Sequence, residues 1–167
     1  MQKRLFLTSL AVAAALCSPS AWSQEKFKIG LILPMTGPFA STGKQIEAAA
    51  KLYISQNGDM LAGKKVELIV KDDTSAPDVT KRIAQELVVN DKVSVLAGFG
   101  LTPLALATAP IATQSKTPLV VMAAATSSIT EASPFIIRTS FTLPQAAVAL
   151  ADWAPKNNIK KVVTLVS

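Results

Sequence analysis

Apolar and polar positions switch between two periods along this chain, and the switches mark its elements. Phe27 to Leu33 is a short, nearly continuous apolar run, the pattern of a buried strand. It gives way at Pro34, Gly37 and Pro38 to a small, hydroxyl-rich turn of Ala40, Ser41, Thr42 and Gly43. Ile46, Ala49, Ala50, Tyr53 and Ile54 then recur at i, i+3, i+4, i+7 and i+8, which predicts a helix with one inward face. Asn57-Gly58 supplies its stop. Lys65 to Lys71, led in by a turn at Gly63, predicts a second strand, broken by Asp72-Asp73-Thr74-Ser75. Pro77 suits a first helical position, and the helix it opens turns Val79, Ile83, Leu87 and Val88 inward before ending near Asn90-Asp91.

The alternation continues. Val93 to Ala97 predicts a third strand, with Gly98 to Thr102 as its loop. A third helix starts near Pro103, with Thr102 as its N-cap, and buries Leu104, Thr108 and Ile111. Pro118 to Met122 predicts a fourth strand, followed by a small-residue loop from Ala123 to Thr130. Phe135 to Arg138 is a short strand or crossover. A helix after Pro144 turns Ala147, Leu150 and Ala151 inward, and the β-branched run Lys161 to Ser167 predicts a last strand. Strand and helix alternating with short connections means α/β, a parallel sheet in three layers with right-handed crossovers.

The first residues stand outside this scheme. Lys3 and Arg4 precede an apolar run from Leu5 to Leu16, and Ala21-Trp22-Ser23 offers small residues for cleavage. This predicts a secretory signal peptide over 1–23, because a membrane span needs roughly 20 apolar residues and the run is broken by Ser18, Pro19 and Ser20. Cys17, preceded by bulky Leu16, goes with the signal, so the mature part contains no cysteine and no disulfide. The mature chain of about 144 residues suits one modest domain. Ending on a strand with no crossover helix after it, the chain is expected to be a fragment of a longer protein.

Charge excludes one class of partner. Without Lys3 and Arg4 the balance is 15 basic to 11 acidic residues, scattered as Lys64-Lys65, Lys81-Arg82 and Lys160-Lys161. No basic stripe with interleaved aromatics forms, so no nucleic-acid partner is expected. Catalysis is poorly supplied too. The chain has no His, and no G-x-S-x-G elbow occurs. Gly98-Phe99-Gly100 begins like a dinucleotide fingerprint, but Pro103 stands where the third glycine belongs. No cofactor is expected. Asp72-Asp73 lacks the further oxygen ligands a hard cation needs and is read as bonding turn amides and capping the second helix; no metal is expected.

In a parallel sheet the loops after the strands share one edge, where ligands bind. Here they are Thr36 to Gly43, Asp72 to Ser75, Gly98 to Thr102 and Ala123 to Thr130. They are small and rich in hydroxyls, so a ligand can approach the backbone. Free amides at a helix start beside a Thr hydroxyl suit a carboxylate or phosphate. Thr102 and Thr126 are the two best candidates, although each alone also suits a helix cap or turn. Phe39 and Phe99 are candidates for apolar contact with a ligand or for packing in the core or a lid.

The pieces IGLILPMTGPFASTGKQIEAA, VELIVKDDTSAP, VSVLAGFGLTP, PLVVMAAATSSIT and FIIRTSFT, in this order, resemble the leucine-, isoleucine- and valine-type periplasmic binding proteins of ABC importers. The resemblance implies the type I fold, two α/β lobes joined by three crossovers that close on a ligand. It assigns 27–138 to an incomplete first lobe and 139–167 to the start of a truncated second. It implies that the loops holding Thr102 and Thr126 grip a ligand carboxylate with hydroxyls and amides, Gly100 among them. The Ala124 carbonyl would accept from an α-ammonium group. Thr42 would line the pocket where relatives often place an aromatic residue, and Phe99 would lie beside it. Ser75 and Leu101 stand where some relatives have a disulfide. The implied function is a monomeric periplasmic receptor, not an enzyme. It captures an amino acid or an aromatic or aliphatic carboxylate for an inner-membrane permease. The alternative is a sensor of the same fold coupled to a signalling partner. A truncated clamshell is expected to be poorly soluble by itself and to bind little.

Overall fold

The computed structural model describes residues 25–163. The expected signal peptide and the final residues of the expected last strand lie outside the described residues. The elements run β1 (Lys26–Leu33), α1 (Ala40–Asn57), β2 (Met60–Leu61), β3 (Lys64–Asp72), α2 (Pro77–Val89), β4 (Val95–Gly98), α3 (Thr102–Ser115), β5 (Leu119–Val121), a 3-10 turn (Ser127–Glu131), β6 (Ile136–Arg138) and α4 (Leu143–Lys156). They form one six-stranded sheet in the order β2-β3-β1-β4-β5-β6. Every pairing is parallel except β2 with β3. That short hairpin was not expected. It turns through Ala62 (φ 49°) and Gly63 (φ 80°), the positive pair a two-residue hairpin requires.

The period-2 pattern of β1 divides its side chains between two layers. Ile32 faces the larger core with Leu87, Leu96, Phe99, Leu119 and Ile129, under α2 and α3. Leu31 and Leu33 face the other side with Ala97, under Ile46 and Ala50 of α1. The inward residues expected of α2 and α3 are there: Ile83, Leu87, Leu104, Thr108 and Ile111 are buried. Burying a Leu or Ile side chain contributes about 1.5–3 kcal/mol, so these two helices are well anchored.

The expectation holds only in part for α1 and fails for α4. On α1, Ile46 and Ala50 pack on the Leu31 and Leu33 side as expected, but Tyr53 is 68% exposed. On α4 no residue is buried, and Leu150, expected inward, is 60% exposed. Its amphipathic pattern is real, but the described residues contain nothing for it to pack against. Residues 161–163, at the start of the expected last strand, are not in a strand.

Parallel pairing has one consequence for function. The carboxyl ends of β1, β3, β4, β5 and β6 all open on the same rim, and so do the loops that follow them. An apolar cavity of about 340 Å³ lies near the other end, lined by residues including Tyr53, Ile54, Met60, Leu61 and Val66. No carboxylate, ammonium or guanidinium group lines it, and it is a gap between α1 and the sheet.

Candidate functional site

The rim is built by backbone that is tied down on several sides. After β4 the chain turns sharply through Gly98 (φ 117°) and Phe99 (φ 64°). A Cβ on Gly98 would sit 2.0 Å from the Ile32 carbonyl oxygen, so this position requires glycine. The turn lets the Phe99 N–H donate to Ile32 O (3.0 Å), while Phe99 O accepts from Ala124 N–H (3.0 Å) and Gly98 O from Met122 N–H (2.8 Å). The β4 loop is thereby stitched to β1 on one side and to the β5 loop on the other.

That stitching brings two distant threonines together. Thr102 opens α3 and Thr126 precedes the 3-10 turn, and their hydroxyl oxygens are 2.7 Å apart. Neither side chain caps its helix, and the residue in the cap position of α3 is Leu101, not Thr102. The mutual bond uses one of the two hydroxyl protons. The other has no acceptor among the described residues and is available to an anion. The backbone N–H groups of Gly100, Ala125 and Thr126 likewise have no acceptor among the described residues.

The remaining expected residues fall in three places. Thr42 lies on the first turn of α1, exposed, with its N–H bonded to Phe39 O (3.0 Å). Gly100 is half-buried against Pro34. Phe99 is fully buried in the larger core, so its ring presents no surface to the rim. This corrects its placement beside a pocket: the left-handed turn swings the side chain under the sheet edge. Phe39 is 44% exposed at the rim, immediately before α1. The Ala124 residue is buried, and its carbonyl already accepts from Arg138 Nη1 (2.6 Å) and Ser140 Oγ (3.4 Å). An ammonium group would have to displace one of these donors.

Arg138 was not singled out as a site residue. It ends β6, opposite Val121 of β5, and its second nitrogen, Nη2, donates to the Thr126 carbonyl. An arginine closing an apolar strand with no acid nearby in sequence was the available signal.

Asp72 and Asp73 complete the rim. Asp72 accepts from Met35 N–H (2.9 Å), Thr36 Oγ1 (2.7 Å) and Thr74 N–H (2.9 Å), tying the β1 loop to the β3 loop. Burial works against its charge, but the bonds from Thr36, Thr74 and Met35 outweigh it and hold its carboxyl below the usual range. Asp73 is fully buried, and only its Oδ1 is bonded, by Ser75 N–H (2.8 Å). Burial pushes its carboxyl above the usual range, against the Ser75 bond and with help from the Asp72 charge. Both aspartates bond turn amides as expected, but neither caps α2, whose cap position is Ala76 without a side-chain bond. No group of three or more His, Cys, Asp or Glu suited to a metal occurs among the described residues.

The comparisons with known proteins agree with this architecture. The family model for periplasmic binding proteins matches residues 26–167. Leu/Ile/Val-binding protein homolog 6 of Brucella abortus is 42% identical over 166 residues, covering 99% of this chain and 42% of its own. A solute-binding protein of an ABC transporter from Rhodopseudomonas palustris BisB5, solved with 3,4-dihydroxybenzoic acid, is 66% identical. It superposes with a TM-score of 0.78 over 81% of this chain and 37% of its own. Its counterpart from strain HaA2, solved with p-hydroxybenzoic acid, is 44% identical with a TM-score of 0.77 over 80% of this chain and 36% of its own. The chain thus spans about two fifths of the length of the relatives it matches. With a matching family model over nearly all the described residues and close superposition on solved relatives, the chain belongs to the periplasmic binding protein family, in its type I, branched-chain amino acid group.

Proposed function

We propose that this chain supplies one wall of the ligand site of a periplasmic ABC-importer receptor whose ligand is an aromatic carboxylate of the hydroxybenzoate class. The observation that carries this reading is the Thr102–Thr126 hydroxyl pair, 2.7 Å apart on the open rim beside amides that have no acceptor among the described residues. A carboxylate accepts from hydroxyls and amides alike, and bonds to a charged group are worth about 1.5–3 kcal/mol each. The relatives solved with dihydroxybenzoic and hydroxybenzoic acids favour an aromatic acid over a branched-chain amino acid. Thr42 and Gly100 flank the same rim.

On this reading α4 begins a second lobe, and closure of the two lobes buries the ligand and presents it to a membrane permease. Such closure is a shift between open and closed populations, driven by contacts made only when closed. The receptor is secreted, monomeric and not an enzyme.

The test is a titration of the full-length mature protein with 4-hydroxybenzoate, 3,4-dihydroxybenzoate, leucine and a neutral sugar. Thermal shift and calorimetry should report the benzoates as the tightest, because a ligand that binds only the folded state raises stability by mass action. Thr102→Ala and Thr126→Ala should each weaken the benzoate by about 1–3 kcal/mol. A clear shift with the sugar and none with any carboxylate would reject the assignment.

A further inference from the structure

We infer that Arg138 is a positioning residue for the anion-binding loop, an inference that rests on the carboxylate reading above. The Arg138 guanidinium reaches across from the end of β6 and donates one nitrogen to Ala124 O (2.6 Å) and the other to Thr126 O. These carbonyls are two residues apart on the same loop, a spacing that the planar fork of a guanidinium spans and a lysine ammonium does not reproduce. No carboxylate pairs with Arg138 among the described residues, so its bonds go to the loop.

The geometry of the peptide unit gives this contact its consequence. In a trans peptide the C=O of one residue and the N–H of the next point in opposite directions. Drawing the carbonyls of Ala124 and Thr126 toward Arg138 turns the N–H groups of Ala125 and Ser127 the other way. The bond from Leu143 N–H to Ala125 O (2.9 Å) fixes the peptide between them from a third direction. The Ala125 N–H has no acceptor among the described residues, and Ser127 opens the 3-10 turn, where the first amides are free. Arg138 therefore does two things for a bound carboxylate. It presents donors in a fixed orientation next to the Thr126 hydroxyl, and it places a positive charge behind the loop.

Two variants of the full-length protein separate these roles. Arg138→Lys keeps the charge and loses the fork; Arg138→Met loses both. In both, 4-hydroxybenzoate affinity, measured on the folded fraction, should fall tenfold or more, with the Met variant the weaker. Backbone amide order parameters of the ligand-free protein should also fall, from rigid values near 0.85 to below about 0.6 at residues 125 to 128 alone. A merely structural role would lower the unfolding temperature without changing either quantity. Wild-type affinity in both variants, or unchanged order at 125 to 128, would overturn the assignment. If the wild-type protein binds no carboxylate, the proposed function fails instead, while the order parameters still decide whether Arg138 holds the loop. Should neither variant fold, low order parameters at 125 to 128 in the wild type would overturn the assignment, and rigid ones support it.

Discussion

Asp72 and Asp73 are neighbours in sequence with opposite electrostatic character. Asp72 is surrounded by donors that stabilise its charge, so the stability it contributes is present above the usual carboxylate range and is lost as pH falls through its lowered pKa. Asp73 is buried with one oxygen unbonded, so its folded-state pKa is raised. Its contribution is present below the unfolded value and is lost as pH rises through the folded one. The full-length Asp73→Asn variant should therefore gain stability relative to wild type as pH rises from about 3 to 6, in denaturant titrations, because asparagine does not titrate. A constant difference across that range would refute the assignment. The pair of acids was plain in the sequence. Which of them would be enclosed was not, because that depends on where the β3 loop sits against β1 and α2.

At the scale of elements, the short loops after β4 and β5 are where the fold is least forgiving. The turn at Gly98 and Phe99 places two successive residues at positive φ, and a non-glycine residue there costs about 1–3 kcal/mol in conformation alone. Gly98→Ala adds a clash with the Ile32 carbonyl. It should lower the midpoint of denaturant unfolding and also weaken ligand binding, because the same turn carries the Phe99 carbonyl that accepts from Ala124 N–H. Unfolding of the full-length variant at the wild-type midpoint would contradict this. The helices α2 and α3 were legible from periodicity because their inward faces are covered. The 3-10 turn over Ser127–Glu131 and the β2 hairpin strand were not, being shorter than the window in which a period can be read.

The whole molecule is covered unequally. Among the described residues one sheet face packs under α2 and α3 and the other under α1, and Ile137, Phe141 and Trp153 are each more than half exposed. Exposed apolar side chains favour association, and β6 ends the sheet among the described residues, an edge open to pairing. The segment 26–163 produced by itself should run as oligomers or aggregate in size-exclusion chromatography with light scattering. A monodisperse monomer with cooperative unfolding and micromolar benzoate affinity would contradict this. Local pattern determined the alternation of strands and helices, the inward faces of α2 and α3 and the small, hydroxyl-rich loops, because those features depend on residues a few positions apart. Only the tertiary structure decided that Thr102 and Thr126 touch, that the Phe99 ring turns into the core and that Arg138 holds the β5 loop. Each of these depends on strand order and register, which are set by packing between segments distant in sequence and leave no period for a sequence to display.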